Sequence, residues 1–206
     1  KLCSIANAKP CGGLTQSLTR ANIRKLAQNR GNGWQQQFAH TISASQLLFM
    51  IEYASFNSQT SIGLGVVNRV DDGSTNMANN TGQTSLLGNS SGMASGTNGL
   101  VSITYRGEEN IWGNIWKLTD GINVYGYSQN LAYISNYGFA DNIGTAPYVD
   151  CGFTLAKTDG YISAFGYSTD CDFMFLPSET LGAVSNPVGD YFYQSNSVNT
   201  WLMALL

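Results

Sequence analysis

Few side chains in this sequence could do acid–base or nucleophilic chemistry, and none sits at a spacing that a reaction would need. The single histidine, His40, has no neighbouring Asp or Cys to orient it as a base, so it reads as a surface or structural residue. Glu108 and Glu109 are adjacent, and neighbours on a strand point to opposite faces. That defeats a paired-carboxylate mechanism and leaves a solvated turn. No Gly-x-Ser-x-Gly elbow occurs, and Gly63-Leu64-Gly65 lacks the third glycine and the preceding strand of a dinucleotide-binding loop. None of the four cysteines forms a Cys-x-x-Cys pair with zinc spacing. Cys3/Cys11 and Cys151/Cys171 are close enough in sequence for two local bridges in an oxidising medium, and equally compatible with buried or free thiols. Asp141, Asp150 and Asp159 are the nearest approach to a metal-ligating set, yet they follow no recognised spacing. The chain is therefore expected to hold no metal or cofactor, to keep its thermal midpoint in EDTA, and not to be an enzyme.

Aromatic rings are its unusual asset, with 11 Tyr, 9 Phe and 4 Trp making up 12% of the chain. Many of the tyrosines stand beside Asn, Ser or Gly, as in Tyr125-Gly126-Tyr127-Ser128 and Tyr191-Phe192-Tyr193-Gln194-Ser195-Asn196. Adaptable binding surfaces use this vocabulary, Tyr giving amphipathic area at low entropy cost while the small polar residues supply hydrogen bonds. The competing reading puts most of these rings in a β-rich core, since alternation sends about half of a strand's side chains inward.

The elements that must position these residues fall into two textures. Near the N-terminus, Ile23, Leu26 and Ala27 recur at helical spacing from a Thr19 cap to a Gly31 stop, with Arg20, Arg24, Lys25 and Arg30 on the other positions. A second helix is expected from Ser43, whose hydroxyl and Gln46 form a capping-box pattern, to about Phe56. Its Leu47, Leu48, Met50, Ile51 and Tyr53 make it apolar on nearly every side, which places it in the middle of the domain. Beyond Phe56, short β-prone runs at 100–105, 114–125, 131–135, 151–156, 161–167, 173–176 and 200–206 alternate with Gly, Asn, Asp and Ser clusters, and Thr158-Asp159-Gly160 reads as a hairpin turn. The uncharged stretch 73–105 is either a linker or an ordered irregular excursion anchored by Leu86, Leu87, Met93, Leu100, Val101 and Ile103.

Composition bounds the partners. The 206 residues suit one domain with a substantial core, but only 11% are charged, well under half of the roughly 25% usual in soluble domains. With 10 Lys plus Arg and a net charge of -3, there is no basic field to hold a phosphate backbone, so nucleic acid is a poor partner. No run approaches the ~18 apolar residues of a membrane span, nor is there an apolar signal-peptide core at Lys1.

The most specific string runs from Tyr105 to Leu118. Its Gly113-Asn114-Ile115-Trp116 core resembles the Gly-Asn-Val-Trp-Glu-Trp signature of the formylglycine-generating-enzyme branch of the C-type lectin-like fold. Gly113 would allow a tight turn, Asn114 would satisfy loop backbone groups, and Trp112 and Trp116 would anchor the core. Closer is the resemblance to tail-fibre and receptor-binding proteins of phages and prophages of gut bacteria, some of them targets of diversity-generating retroelements. It rests on Arg20-Ala21-Asn22, Arg30-Gly31-Asn32-Gly33-Trp34, the string Gln46-Leu47-Leu48-Phe49-Met50-Ile51-Glu52-Tyr53, Phe56-Asn57-Ser58-Gln59, Leu87-Gly88-Asn89-Ser90-Ser91-Gly92 and the string from Tyr105 to Asp120. It spans about 19–124.

The resemblance implies an α+β domain of C-type lectin-like fold over 19–206, two N-terminal helices packed on short, mostly antiparallel strands with long loops, after an extension at 1–18. It implies a non-enzymatic adhesin on the virion surface that attaches to a bacterial surface glycan or protein, among other virion structural proteins and as a homo-oligomer, with a trimer favoured. The alternative is a structural fibre decoration whose surface serves oligomer contacts. The catalytic cysteines of the enzyme branch and the calcium-lectin triplets have no counterpart here, since Ser185-Asn186-Pro187 and Trp112-Gly113-Asn114 differ from them. In relatives a Gly-Gly-x-Trp strand and a variable binding segment follow the run resembling 199–206, so the principal binding segment is expected to be lacking. Tyr191, Tyr193 and Asn196, just before that run, are the expected ligand-binding residues. Leu47, Leu48, Met50, Ile51, Trp112 and Trp116 are expected to share one buried core.

Overall fold

A computed structural model describes residues 5–10, 19–69, 78–115, 117–126, 129–185 and 187–192. In chain order these form helices α1 (Arg20–Gln28), α2 (Ala39–Tyr53) and α3 (Ser58–Ser61), then strands β1 (Gly92–Met93), β2 (Ile103–Tyr105) and β3 (Glu108–Glu109). They continue with β4 (Ile122–Tyr125), β5 (Leu131–Ile134), β6 (Val149–Thr154), β7 (Gly160–Tyr161), β8 (Ala164–Phe165), β9 (Pro177–Glu179) and β10 (Tyr191–Phe192). The named strands pair antiparallel in small sheets ordered β1-β2-β3, β4-β5-β6, β7-β10 and β8-β9. The class is α+β.

The contacts divide the chain into two compact units, one drawn from Lys1–Thr19 and Ser58–Lys117, the other from Arg20–Asn57 and Leu118–Leu205. The larger segment of the first, Ser58–Lys117, is therefore inserted between the two segments of the second. Residues expected in a separate extension belong to the inserted unit: Asn7 N–H donates to Thr81 O at 2.8 Å, Thr81 N–H returns to Ala8 O, and Lys9 Nζ reaches Ala78 O at 2.7 Å. The excursion is ordered over 78–105, where the backbone turns through Ser85–Leu87 and enters β1 and β2.

In the second unit, the inward face of β4-β5-β6 carries Ile122, Ala132, Ile134 and Cys151, which pack with Ala39, Leu155, Cys171, Met174 and Leu176. The edge of α2 is tied to the sheet by Ala39 N–H donating to Asp120 O at 2.9 Å, with a parallel bridge between Phe38 and Asp120. The carbonyls and side chains below α1 meet Arg20 and Arg24. Arg20 Nε donates to Asp141 Oδ1 at 2.7 Å, its Nη1 to the carbonyls of Thr119 and Ile122, and its Nη2 to Asn123 Oδ1 and Ala140 O. Arg24 holds Asp120 with two bonds of 2.8 and 2.6 Å and Asp141 with a third of 2.6 Å.

Several expectations are corrected. Helix α2 begins four residues before Ser43, at Ala39, because Phe38 and Thr41 close the first turn: Phe38 N–H donates to Thr41 Oγ1, which donates to Phe38 O at 2.7 Å. Ser43 is buried mid-helix and donates to Phe173 O. That face is the polar one, Ser43, Ser45 and Gln46 packing inward with Ile42 and Phe49, while Leu47, Leu48 and Ile51 are exposed, Ile51 by 80%. The helix is thus rotated from the orientation its apolar residues imply, since its small residues let the backbone approach the sheet and the Phe173 carbonyl. Met50 is half-buried, and Trp112 is buried in the other unit, so these residues share no common core. Trp116 lies outside the described residues.

The strand expectations fare unevenly. Runs at 131–135 and 151–156 become β5 and β6, whereas 114–125 yields a strand only over β4, and 161–167 breaks into β7 and β8. The 173–176 run is no strand: it leaves a turn in which Met174 N–H donates to Cys171 O, and the strand follows at β9. No hairpin forms around Gly160, because β6 pairs with β5 and β7 with β10. The 200–206 run lies outside the described residues.

Candidate functional site

Two pairs of tyrosine rings, each with one exposed and one half-buried member, lie on paired strands of the second unit. In β4-β5-β6, Asn123 faces Tyr133 and Tyr133 faces Asp150, so Tyr125, Tyr133 and Asp150 share the face opposite the core. The Tyr125 and Tyr133 rings meet edge-on, centroids 5.7 Å apart at 76°. Gly144 carries no side chain beside Tyr125, where a Cβ would come within 2.7 Å of the ring. The Tyr133 hydroxyl donates to Asp150, and its pKa is raised above the ordinary value first by burial and then by that carboxylate's charge and hydrogen bond. Asp150 also accepts Gly152 N–H at 2.8 Å, which holds its oxygens at the sheet surface. Together they offer two ring edges and an anchored acceptor.

On the second pair, Tyr161 and Tyr191 are cross-strand partners with centroids 5.1 Å apart at 84°. Tyr191 is exposed, and β10 turns Phe192 inward against Ala156 and Ile162. Tyr137 and Tyr167 are also exposed, by 65% and 71%. The opposite fate falls to Tyr105 and Tyr148, which are buried; the Tyr148 hydroxyl donates to Ala140 O at 2.9 Å. The aromatic wealth is therefore split between core and surface.

Of the expected binding residues, Tyr191 is at the surface, and Tyr193 and Asn196 lie outside the described residues. The Trp112-Gly113-Asn114 string holds loops of the inserted unit together. Trp112 Nε1 donates to Gly63 O at 3.3 Å, and Asn114 accepts Asn79 N–H at 2.7 Å while its amide donates to Asn79 O. Gly113 sits at φ +72 with the Val66 backbone so near that a Cβ would lie 2.9 Å from its nitrogen. Two of the basic residues of α1 are turned to the interior, Arg20 being buried and Arg24 engaged by Asp120 and Asp141.

His40 packs between the Phe38 and Phe173 rings, its Nδ1 buried without a hydrogen-bond partner, and burial lowers its pKa below the ordinary value. Glu109 does not sit in the solvated turn that its position beside Glu108 predicts. Its carboxylate instead accepts Gly82 N–H, Thr84 N–H and Thr84 Oγ1 at 2.7–2.8 Å. Only the alternation of β3, with Glu108 out and Glu109 in, could have signalled this. Asp141 is committed to the two arginines, and among the described residues no group of three or more His, Cys, Asp or Glu could hold a metal ion. No described helix is long and apolar enough to cross a membrane.

No family model matches this chain, and neither a curated protein nor a solved structure matches it.

Proposed function

We propose that this chain is a non-enzymatic attachment domain of C-type lectin-like fold, carried on a phage or prophage virion and directed at a bacterial surface glycan or protein. The observation that carries the reading is the pair of partly exposed tyrosine clusters, Tyr125/Tyr133 with Asp150 and Tyr161/Tyr191, on a chain with so little charge. Ring edges and faces offer stacking to the C–H faces of a sugar or to apolar side chains, and Asp150 offers an acceptor to hydroxyl or amide donors. Two helices leading into short antiparallel strands suit the resemblance, as does the glycine turn between Trp112 and Asn114. Function is argued from the rings, since a fold alone does not establish it.

The test is a glycan-array and whole-cell binding screen of the chain, followed by Tyr125→Ala, Tyr133→Ala and Tyr191→Ala. Each substitution should weaken attachment by about 1 kcal/mol or more where the ring is a hot spot. Binding that tolerates all three substitutions would defeat the reading.

A second reading, a structural decoration whose surface meets further copies of this chain, is favoured by one feature. Ala44, Leu47, Leu48 and Ile51 recur at helical spacing along the exposed side of α2, an uncharged stripe suited to a self-complementary contact.

A further inference from the structure

Cys151 and Cys171 are as buried as any side chains in the second unit, 0% and 1% exposed, and lie in one core cluster with Ile134, Leu155 and Leu176. Their thiols hydrogen-bond to each other. They arrive from different elements: Cys151 from β6, at the edge of its sheet, and Cys171 from a turn closed by its own N–H to Ser168 O and by Met174 N–H to its carbonyl. Neither thiol takes part in the surface described above, and both are free. We propose that this facing pair is a disulfide-forming site: when the chain folds in the presence of a small-molecule disulfide, Cys151 and Cys171 become joined.

The exchange balances without any further reactant. One cysteine thiolate attacks a sulfur of the oxidant R–S–S–R and expels R–S⁻, giving a mixed disulfide. The second thiolate attacks the protein sulfur of that mixed disulfide, forms the Cys151–Cys171 bond and expels a second R–S⁻. Two protein thiols are oxidised, one disulfide is reduced to two R–SH, and the two protons pass to the leaving thiolates. Timing follows from burial. The attacking species is the thiolate, which the apolar core disfavours and which raises the Cys151 pKa above the ordinary thiol range. Exchange therefore belongs to folding, before the core closes, and the finished bridge is shielded from reductant afterwards. The bond would close a loop of about 20 residues containing β7 and β8, which limits the unfolded chain and raises the midpoint of the oxidised form.

The experiment uses the full chain, unfolded with reductant and refolded by dilution into either reduced glutathione alone or a reduced/oxidised glutathione mixture. Free thiols are then alkylated in denaturant and peptides mapped without reduction. The expected result is a peptide linking Cys151 to Cys171 in most molecules, with a thermal midpoint higher by about 5 °C or more than in the reduced form. A Cys3→Ala/Cys11→Ala variant should keep both the linked peptide and the shift, and Cys151→Ala/Cys171→Ala should lose the shift. If the latter fails to fold, the peptide map of the Cys3→Ala/Cys11→Ala variant decides alone. Recovery of Cys151 and Cys171 as separately alkylated thiols, as glutathione adducts, or linked to Cys3 or Cys11 would overturn the proposal.

Discussion

Arg20 uses all five guanidinium donors on five acceptors, and that count explains why a strongly polar group tolerates being 3% exposed. Two arginines face two aspartates, so the cluster is neutral and each carboxylate is answered. Arg20→Met should cost about 3–5 kcal/mol in urea denaturation, because it takes the guanidinium from Asn123 Oδ1 and from the Thr119 and Ile122 carbonyls in the interior and leaves Asp141 with Arg24 alone. Arg20→Lys should recover only part of that, lacking the fork. A cost below about 1 kcal/mol for the Met variant would show that the cluster contributes orientation rather than stability. Acid should attack the same place. Burial works against the Asp141 carboxylate, but hydrogen bonds and charge from Arg24 and Arg20 outweigh it and hold its pKa below the ordinary value. Its contribution is therefore complete above the usual carboxylate range and lost as pH falls through the depressed value. Lys117 runs the other way. Burial lowers its pKa to about 8, so between about pH 8 and 10 the unfolded chain binds the proton that the folded chain has released. Stability should rise over that window by up to about 3 kcal/mol, and Lys117→Met should flatten the rise. Equal pH profiles for the two proteins would remove Lys117 as the cause.

Helices were the most legible elements, and the facing of α2 was the least. Spacing of Ile23, Leu26 and Ala27 located α1, and the apolar run 47–51 located α2, because backbone propensity is local. Which side of α2 faces in depends on Asp120 and Phe173, residues distant in sequence that accept from Ala39 N–H and Ser43 Oγ. No periodicity in 39–53 could announce them. Strand existence was legible at β5 and β6, but partner choice was not, as Gly160 shows by pairing with Phe192 in place of closing a hairpin. For the candidate site, the Tyr/Asn/Ser/Gly vocabulary marked the right half of the chain. The cross-strand meetings of Tyr125 with Tyr133 and Tyr161 with Tyr191 needed registers that sequence does not supply. The exposed stripe on α2 makes its own prediction: if copies associate through it, Leu48→Glu and Ile51→Glu should shift the mass distribution in mass photometry toward monomer without lowering the thermal midpoint. An unchanged distribution, or a chain that is monomeric to begin with, would remove the oligomer-contact reading.

At the scale of the whole molecule, low charge sets how attachment should respond to its medium. With 10 basic and 13 acidic residues, and the Arg20/Arg24/Asp120/Asp141 group already neutralised internally, little net field is left to steer a ligand. Binding to cells should therefore change little between low and high salt, since stacking and neutral hydrogen bonds are hardly screened. Attachment that collapses with added salt would point to a charged surface that the tyrosines do not provide. The inserted unit has a consequence in time. Residues 58–117 are synthesised between the two halves of the unit that encloses them, and Arg20 waits for an Asp141 that lies 121 positions later. At roughly 5–20 residues per second on a ribosome, that interval is about 6–24 s. For more than half of it, from Tyr53 to Gly121, α1 and α2 are complete while β4, β5 and the 139–143 segment have yet to be made. The nascent chain thus presents a bare arginine pair and the uncovered side of α2 before either has its partner, while the insertion, complete by Lys117, is free to fold first. The interrupted unit is the one for which a chaperone, or a slow stretch of translation, would matter.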